Sequence, residues 1–266
     1  GVPPVDVTGY AIDRTATYET SRRSRAERTV EQLGVLFGDG WYPTFKQRTA
    51  RNIRRSVVHD RQVAAGGRFN ASFGWEFAEW FAGSEQPQPA TPGFHRQPSH
   101  TFVAREHAAV RNGVGVLDMS LMAKLSVQGP AAAAVLGRLS ANDIDREVGR
   151  LVYTQWLDAA GGIAADVTVC RVADDRFLVV AGDIIHRRIE PMIRRALRPG
   201  EVAVVTDVTS ATTLLSVQGP ASRELLGRLT DADLGNAAFP YLTAQHLHVG
   251  YAPVLVSRVT YVGELG

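Results

Sequence analysis

The chain has 266 residues, 45% of them hydrophobic and 21% charged, which is enough apolar content to bury a core. Its net charge of +2 excludes the highly charged composition of a disordered polymer. A single cysteine, Cys170, excludes a disulfide framework and any multi-cysteine zinc or iron–sulfur centre.

No apolar run reaches the roughly 18–20 residues that a membrane-spanning helix needs, so no membrane partner is expected. All the basic residues except Lys46 and Lys124 are arginines. They are spread along the chain among 27 acids, the pattern of a coding bias rather than of a phosphate-binding patch, and no nucleic-acid partner is expected. Gly1-Val2-Pro3-Pro4 lacks the basic and apolar regions of a secretory signal, which points to a cytoplasmic setting. Both ends read as cut, and the chain is expected to be an interior piece of a longer protein.

Ser21 to Gly34 has helix formers through its middle and a glycine suited to a helix end. Trp41 to Ala82 is rich in aromatics and arginines and reads as a compact connecting module whose aromatics pack on a neighbour. Ser84 to Pro98, with four prolines, reads as a surface linker. Phe102 to Asn112 carries a helix pattern. After it, strands are expected at Lys124–Val127, Ala165–Val172, Arg176–Val180, Val202–Val208, Thr212–Val217 and Ala252–Tyr261. Helices are expected at Ala131–Leu139, Ile184–Ala196 and Ala221–Leu229. Elements of this length in mixed order indicate an α+β fold with mixed or antiparallel sheets and packed helices.

One segment occurs twice. Leu125-Ser-Val-Gln-Gly-Pro-Ala, ending in Leu136-Gly-Arg-Leu139, returns at Leu215 and ends in Leu226-Gly-Arg-Leu229, with eleven of fifteen positions identical. Each copy reads as strand, Gly-Pro turn and helix, since proline is favoured at a helix start. Two copies suggest two similar half-domains and are too few for a solenoid. Other motifs fail. Gly113-Val-Gly115 lacks the third glycine of a dinucleotide fingerprint and follows a helix. Cys170 lies in a strand pattern and reads as a buried small apolar residue.

Gly161-Gly-Ile-Ala-Ala-Asp-Val-Thr-Val-Cys170 puts a double-glycine turn before a β-branched run. Asp166, at the start of that run, is either a turn carboxylate or a group at the mouth of a pocket. Tyr261-Val-Gly-Glu264 offers a second carboxylate among glycines at a strand end. Two such carboxylates could accept hydrogen bonds from a nitrogen-rich heterocycle.

Arg105-Glu-His-Ala-Ala-Val-Arg-Asn-Gly-Val-Gly-Val-Leu-Asp-Met-Ser120, Gly129-Pro130, Gly161-Gly-Ile163 with Asp166, and Tyr261-Val-Gly-Glu264 resemble the folate-binding aminomethyltransferase family, the T-protein of glycine cleavage and its relatives. Ala50-Arg-Asn-Ile-Arg-Arg-Ser56, Gly74-Trp-Glu76 and Trp80-Phe81 resemble the central region of flavin-dependent dimethylglycine and sarcosine dehydrogenases. The resemblance implies the tail of an FAD-dependent oxidoreductase domain at 1–40, its central linker module at 41–98 and a C-terminally truncated folate-binding domain at 99–266. It implies that Asp166 is catalytic beside the folate amines and that Glu264 holds the pterin, with Tyr261 in the same loop. Met122 would line the folate pocket.

The implied partners are tetrahydrofolate and an N-methyl amine, dimethylglycine or sarcosine. FAD would sit in polypeptide preceding this chain, so the chain alone is expected to be inactive. The whole enzyme would pass the one-carbon unit of the amine to tetrahydrofolate as 5,10-methylenetetrahydrofolate. A stand-alone T-protein is the nearest alternative, and the aromatic module speaks against it. A non-catalytic folate-binding assembly or repair factor is the other, and Asp166 speaks against that.

Overall fold

A computed structural model describes residues 17–38, 46–88, 90 and 93–260. They divide into two units. One runs up to Leu121 and takes in Thr213–Ser216; the other comprises Met122–Thr212 and the chain from Val217 onward.

The first unit begins with helix α1 (Arg22–Phe37), capped where the Ser21 side chain accepts from the Ser24 N–H. It passes through Gly34, whose interior cost is only about 1 kcal/mol, and stops at Gly38. After α2 (His59–Ala64), the aromatic stretch forms a hairpin of β1 (Gly67–Ser72) and β2 (Trp75–Phe81). Phe73 and Gly74 turn it with φ of 46° and 79°, the left-handed pair whose twist matches the flanking strands. The alternation of Phe69, Ala71, Phe77 and Trp75 across this hairpin escaped the sequence reading because its turn begins with phenylalanine rather than Asn or Asp.

The hairpin aromatics pack within their own unit. Trp80 stacks on Phe102 of α3 (His100–Asn112) with ring centroids 5.1 Å apart, and Arg54 lies 4.3 Å above the buried Trp75 ring. Buried Glu76 accepts from Arg51 Nε at 2.8 Å and from the Asn52 N–H at 2.7 Å. Burial alone raises the Glu76 carboxyl, but these bonds hold it below the usual range. Strand β3 (Gly115–Asp118) pairs with the strand at Leu215–Gln218, which is why Thr213–Ser216 belongs to this unit.

The second unit is built on a sheet of five strands: β4 (Ala123–Gln128), β5 (Leu151–Leu157), β6 (Ile163–Ala173), β7 (Arg176–Ala181) and β8 (Val204–Asp207). Their spatial order is β5-β6-β7-β4-β8, and every pairing is antiparallel. One face carries Leu125, Val127, Val152, Trp156, Val167, Val169, Phe177 and Val179, all buried. Against it pack Val135 and Leu136 of α4 (Ala132–Leu139) and Ile189 and Ile193 of α5 (His186–Ala196). The remaining elements of the chain are β9 (Leu215–Gln218), whose first two residues fall in the first unit, α6 (Ser222–Gly227) and a hairpin of β10 (Thr243–Val249) with β11 (Ala252–Arg258).

The α+β architecture with antiparallel sheets is the one expected. Both copies of the repeat fold as strand, Gly-Pro turn and helix, β4 with α4 and β9 with α6. Gly129 and Gly219 hold φ of 137° and 119°, and at Gly129 a Cβ would meet the Val202 carbonyl oxygen at 2.6 Å. The strand expected at Thr212–Val217 begins three residues later and ends one later, at Leu215–Gln218, and β5 and β10 were not foreseen. Cys170 is buried, and burial pushes its thiol up to about 11.

Candidate functional site

The second face of the five-stranded sheet has two ends with different cover. Strand alternation puts Leu151, Tyr153 and Gln155 of β5, and Asp166, Thr168 and Cys170 of β6, opposite the core-facing residues. At one end Leu151 and Cys170 are covered by Ala244 of β10, with Leu178, Leu242 and Leu255 around them. The Leu151 N–H donates to the Leu242 carbonyl at 2.9 Å, tying the hairpin down there. The other end of β5 and β6 is left exposed, and it holds Asp166.

Asp166 is neither at the turn nor a turn carboxylate. Asp158 has that role: its Oδ1 accepts from the Ala160 and Gly162 N–H groups at 2.9 and 2.8 Å, and Gly161 takes φ of 83°. The β5–β6 connection is thus closed by its own aspartate. Asp166 lies inside β6, opposite Gln155 in the register. Its Oδ2 accepts from the Tyr153 hydroxyl at 2.8 Å, and Oδ1 has no partner among the described residues. Tyr153 is itself opposite Thr168, the next residue of β6 on the same face, so phenol and carboxylate meet on a diagonal of the ladder.

Met122 immediately precedes β4. Ala123 pairs with Ala181, which also pairs with Val167, so Met122 and Asp166 each lie one residue beyond the same row of the sheet. Two strand spacings of about 4.8 Å separate those strands. The fold therefore brings these two sequence-predicted residues to one end of the sheet. Tyr261 and Glu264 lie outside the described residues. Tyr153 and Gln155 were missed by the sequence reading. The alternation in Leu151-Val-Tyr-Thr-Gln-Trp-Leu157 is the signal that places them on Asp166's face.

A polar clamp fixes the β4 end of the site. The Lys124 N–H donates to Thr209 Oγ1 at 3.0 Å, and the Thr209 N–H donates to Asp207 Oδ1 at 2.9 Å. Asp207 Oδ2 lies 2.9 Å from Nε2 of buried His186, at the start of α5. Burial raises the Asp207 carboxyl, but the bonds to His186 and Thr209 outweigh it and hold the group far below the ordinary carboxylate range. Lys124 Nζ, also buried, donates to the Met122 carbonyl at 2.8 Å and so fixes the backbone at that residue.

The arrangement offers one carboxylate oxygen held by a phenol, a second left open, an amide from Gln155 and a hydroxyl from Thr168. That donor and acceptor set suits a flat heterocycle rich in N–H groups. Among the described residues no group of three or more His, Cys, Asp or Glu side chains is placed to hold a metal, and no helix is long and apolar enough to cross a membrane.

Residues 58–266 match the GCVT N-terminal domain family. Over its whole length the chain is 36% identical to 4-methylaminobutanoate oxidase (formaldehyde-forming) of Paenarthrobacter nicotinovorans, covering 32% of that protein. It is 28% identical to mitochondrial sarcosine dehydrogenase of Mus musculus, again over its whole length and 33% of the relative. Aminomethyltransferase of Parafrankia sp. is 33% identical over 80% of this chain and 53% of its own. The chain thus spans about a third of the oxidase and dehydrogenase relatives it matches in full. Aminomethyltransferase T of the glycine cleavage system from Bartonella henselae has the same fold, with a TM-score of 0.62 at 22% identity over 80% of this chain and 52% of that one.

Proposed function

The chain belongs to the GCVT N-terminal domain family, and from that premise we propose that it is the tetrahydrofolate-binding part of a larger flavin-dependent enzyme acting on N-methyl amines such as dimethylglycine or sarcosine. The observation that carries this reading is Asp166, a carboxylate on the exposed end of the sheet face, oriented through Oδ2 by Tyr153 and open at Oδ1. The donor set fits a reduced pterin, whose ring N–H groups need acceptors and whose flat face needs an aromatic or apolar neighbour. Among the described residues no set fits a flavin. Gly113 caps the end of α3 and Gly115 opens β3, the reverse of the strand-to-helix turn that cradles a pyrophosphate. FAD is therefore assigned to polypeptide outside this chain.

When bound, tetrahydrofolate supplies the amine nitrogens that take up a one-carbon unit at the oxidation level of formaldehyde. The chain's own residues do the rest. The Tyr153 hydroxyl fixes the rotamer of Asp166, so that Oδ1 points its lone pairs to one place. There it accepts the proton that a secondary amine sheds on forming a new carbon–nitrogen bond, and it stabilises positive charge on that nitrogen meanwhile. Met122, at the same end of the sheet, would line the pocket beside the ring. Tyr261 and Glu264 are proposed to complete the pocket, Glu264 by accepting ring N–H groups.

A second reading concerns the fate of the one-carbon unit. The whole-length relative at 36% identity is named as formaldehyde-forming, which favours release over capture. Free formaldehyde measured during turnover of the complete gene product, with and without tetrahydrofolate, decides between them. Capture requires formaldehyde to fall and 5,10-methylenetetrahydrofolate to rise in step, and Asp166→Asn to abolish that switch while amine oxidation continues. Formaldehyde release unaffected by tetrahydrofolate sinks the folate reading. Loss of tetrahydrofolate binding in Glu264→Ala, followed by calorimetry, tests the pocket assignment separately.

A further inference from the structure

Helix α1 turns the wrong side outward for a helix that ends at its own unit. The face against the unit is polar. Glu31 accepts from the Arg48 N–H at 2.6 Å, the Thr49 N–H at 3.1 Å and Arg28 Nη1 at 2.8 Å, and Arg28 Nη2 donates to Gln47 Oε1 at 2.5 Å. No residue of the helix is buried. Opposite that face stand Val30, Leu33 and Phe37, with 73%, 48% and 80% of their surface exposed, and Leu36 beside them at 60%. Ala26, also exposed, continues the line. Residues 26, 30, 33 and 37 follow one another at steps of four, three and four, the seam by which one helix packs along another at a shallow angle. Surface helices put such a stripe inward.

We propose that the Ala26–Val30–Leu33–Phe37 stripe is a docking seam for a helix in polypeptide fused to this chain in the complete gene product. Two observations favour a fused occupant over a second copy. The helix is about 24 Å long, and a seam along one side of it falls far below the roughly 800 Å² per partner of stable associations between free proteins. A covalent tether removes that requirement, because it supplies the partner at millimolar effective concentration. The relatives that the whole chain matches carry about twice as much polypeptide again beyond the matched part, ample to supply a helix. The seam also specifies its partner. Arg22 continues the stripe at its N-terminal end and Arg25 flanks it, and neither has an ion-pair partner among the described residues. The docking helix is therefore apolar along one stripe with a carboxylate at the end facing Arg22. This inference goes beyond the folate reading and shares with it only the premise that the gene product is longer than this chain.

The test is thiol labelling of the complete gene product with a maleimide, which reads burial and not catalysis. Leu33→Cys reports on the seam, and Asp60→Cys, on a side chain 91% exposed, serves as the open reference. Docking predicts that Leu33→Cys labels at least tenfold more slowly than Asp60→Cys, and that adding Phe37→Asp brings the two rates together. Equal rates without Phe37→Asp overturn the proposal, as does protection that survives Phe37→Asp. Protection that vanishes on dilution assigns the seam to a second copy and overturns it too. Methylene transfer is not measured, so failure of the folate reading leaves this result standing, and the reverse also holds.

Discussion

Asp158 and Asp166 stand on one hairpin and have opposite consequences for stability and chemistry. Asp158 accepts two backbone N–H groups and closes a turn, whereas Asp166, among the described residues, accepts only from a phenol on an exposed face. Asp166→Asn is therefore expected to leave the denaturant midpoint within the roughly 0.5 kcal/mol of ordinary surface changes. On the proposed function, the same change is expected to slow one-carbon transfer by the complete gene product about a hundredfold or more, the scale of a lost proton acceptor. Tyr153→Phe keeps the ring and removes the hydrogen bond, so transfer is expected to fall about tenfold with tetrahydrofolate affinity nearly unchanged, as read by single-turnover kinetics beside calorimetry. Asp207 behaves differently because its bonds are internal. Its carboxyl is held far below its unfolded value, so the stability it contributes is complete above about pH 4 and is lost as pH falls from there toward the folded value. Asp207→Asn is expected to flatten that acid limb in unfolding curves measured from pH 6 down to pH 2.

The repeated Gly-Pro turn shows how an element depends on a single backbone angle. Gly129→Ala places a Cβ 2.6 Å from a backbone oxygen at φ 137° and is expected to destabilise by several kcal/mol or to prevent folding. Gly137→Ala, on the solvent face of α4 with nothing within 4 Å of the new methyl, is expected to stabilise by up to about 1 kcal/mol. Urea midpoints of the two variants make the comparison. These turns also explain which elements could be read in advance. Strands β6 and β7 carry β-branched residues and are bounded by glycine or Asp-Asp, β4 alternates Leu125 and Val127 with polar residues up to Gly-Pro, and α4 begins where the proline permits it, so local chemistry marks them. Strand β5 mixes Tyr, Thr, Gln and Trp, and its alternation has meaning only once β6 supplies an opposite strand. That is why Asp166 was visible in the sequence and Tyr153 was not. Their meeting depends on a register between strands, and no spacing along either one encodes it.

At the scale of the molecule the two units differ in how they are held together. The second has a continuous core in which Leu125, Val127, Val135, Trp156, Phe177, Val179 and Ile189 are fully buried. The first buries few large side chains, Trp75 and Phe102 among them, and leans on polar anchors such as Glu76 with Arg51 and Asn52. Opening energies follow buried apolar contact, so hydrogen exchange is expected to be slowest in β4, β6 and β7 and measurably faster in β1, β2 and α3. Equal protection across both groups would contradict this division. It also separates the roles of the units: the slow sheet fixes the position of Asp166, while α1 presents its seam from the looser one.

The return of Thr213–Ser216 to the first unit has a consequence for synthesis. Chains emerge from the ribosome N-terminus first and fold by units as they appear. Strand β3 must wait for a partner made nearly a hundred residues later, whereas every strand of the five-stranded sheet has emerged once Asp207 is out. The later-encoded unit is therefore free to assemble its sheet while the earlier one is still open. A nascent chain arrested with residue 210 just outside the ribosome is expected to resist protease across β4–β8 and to be cut near β3.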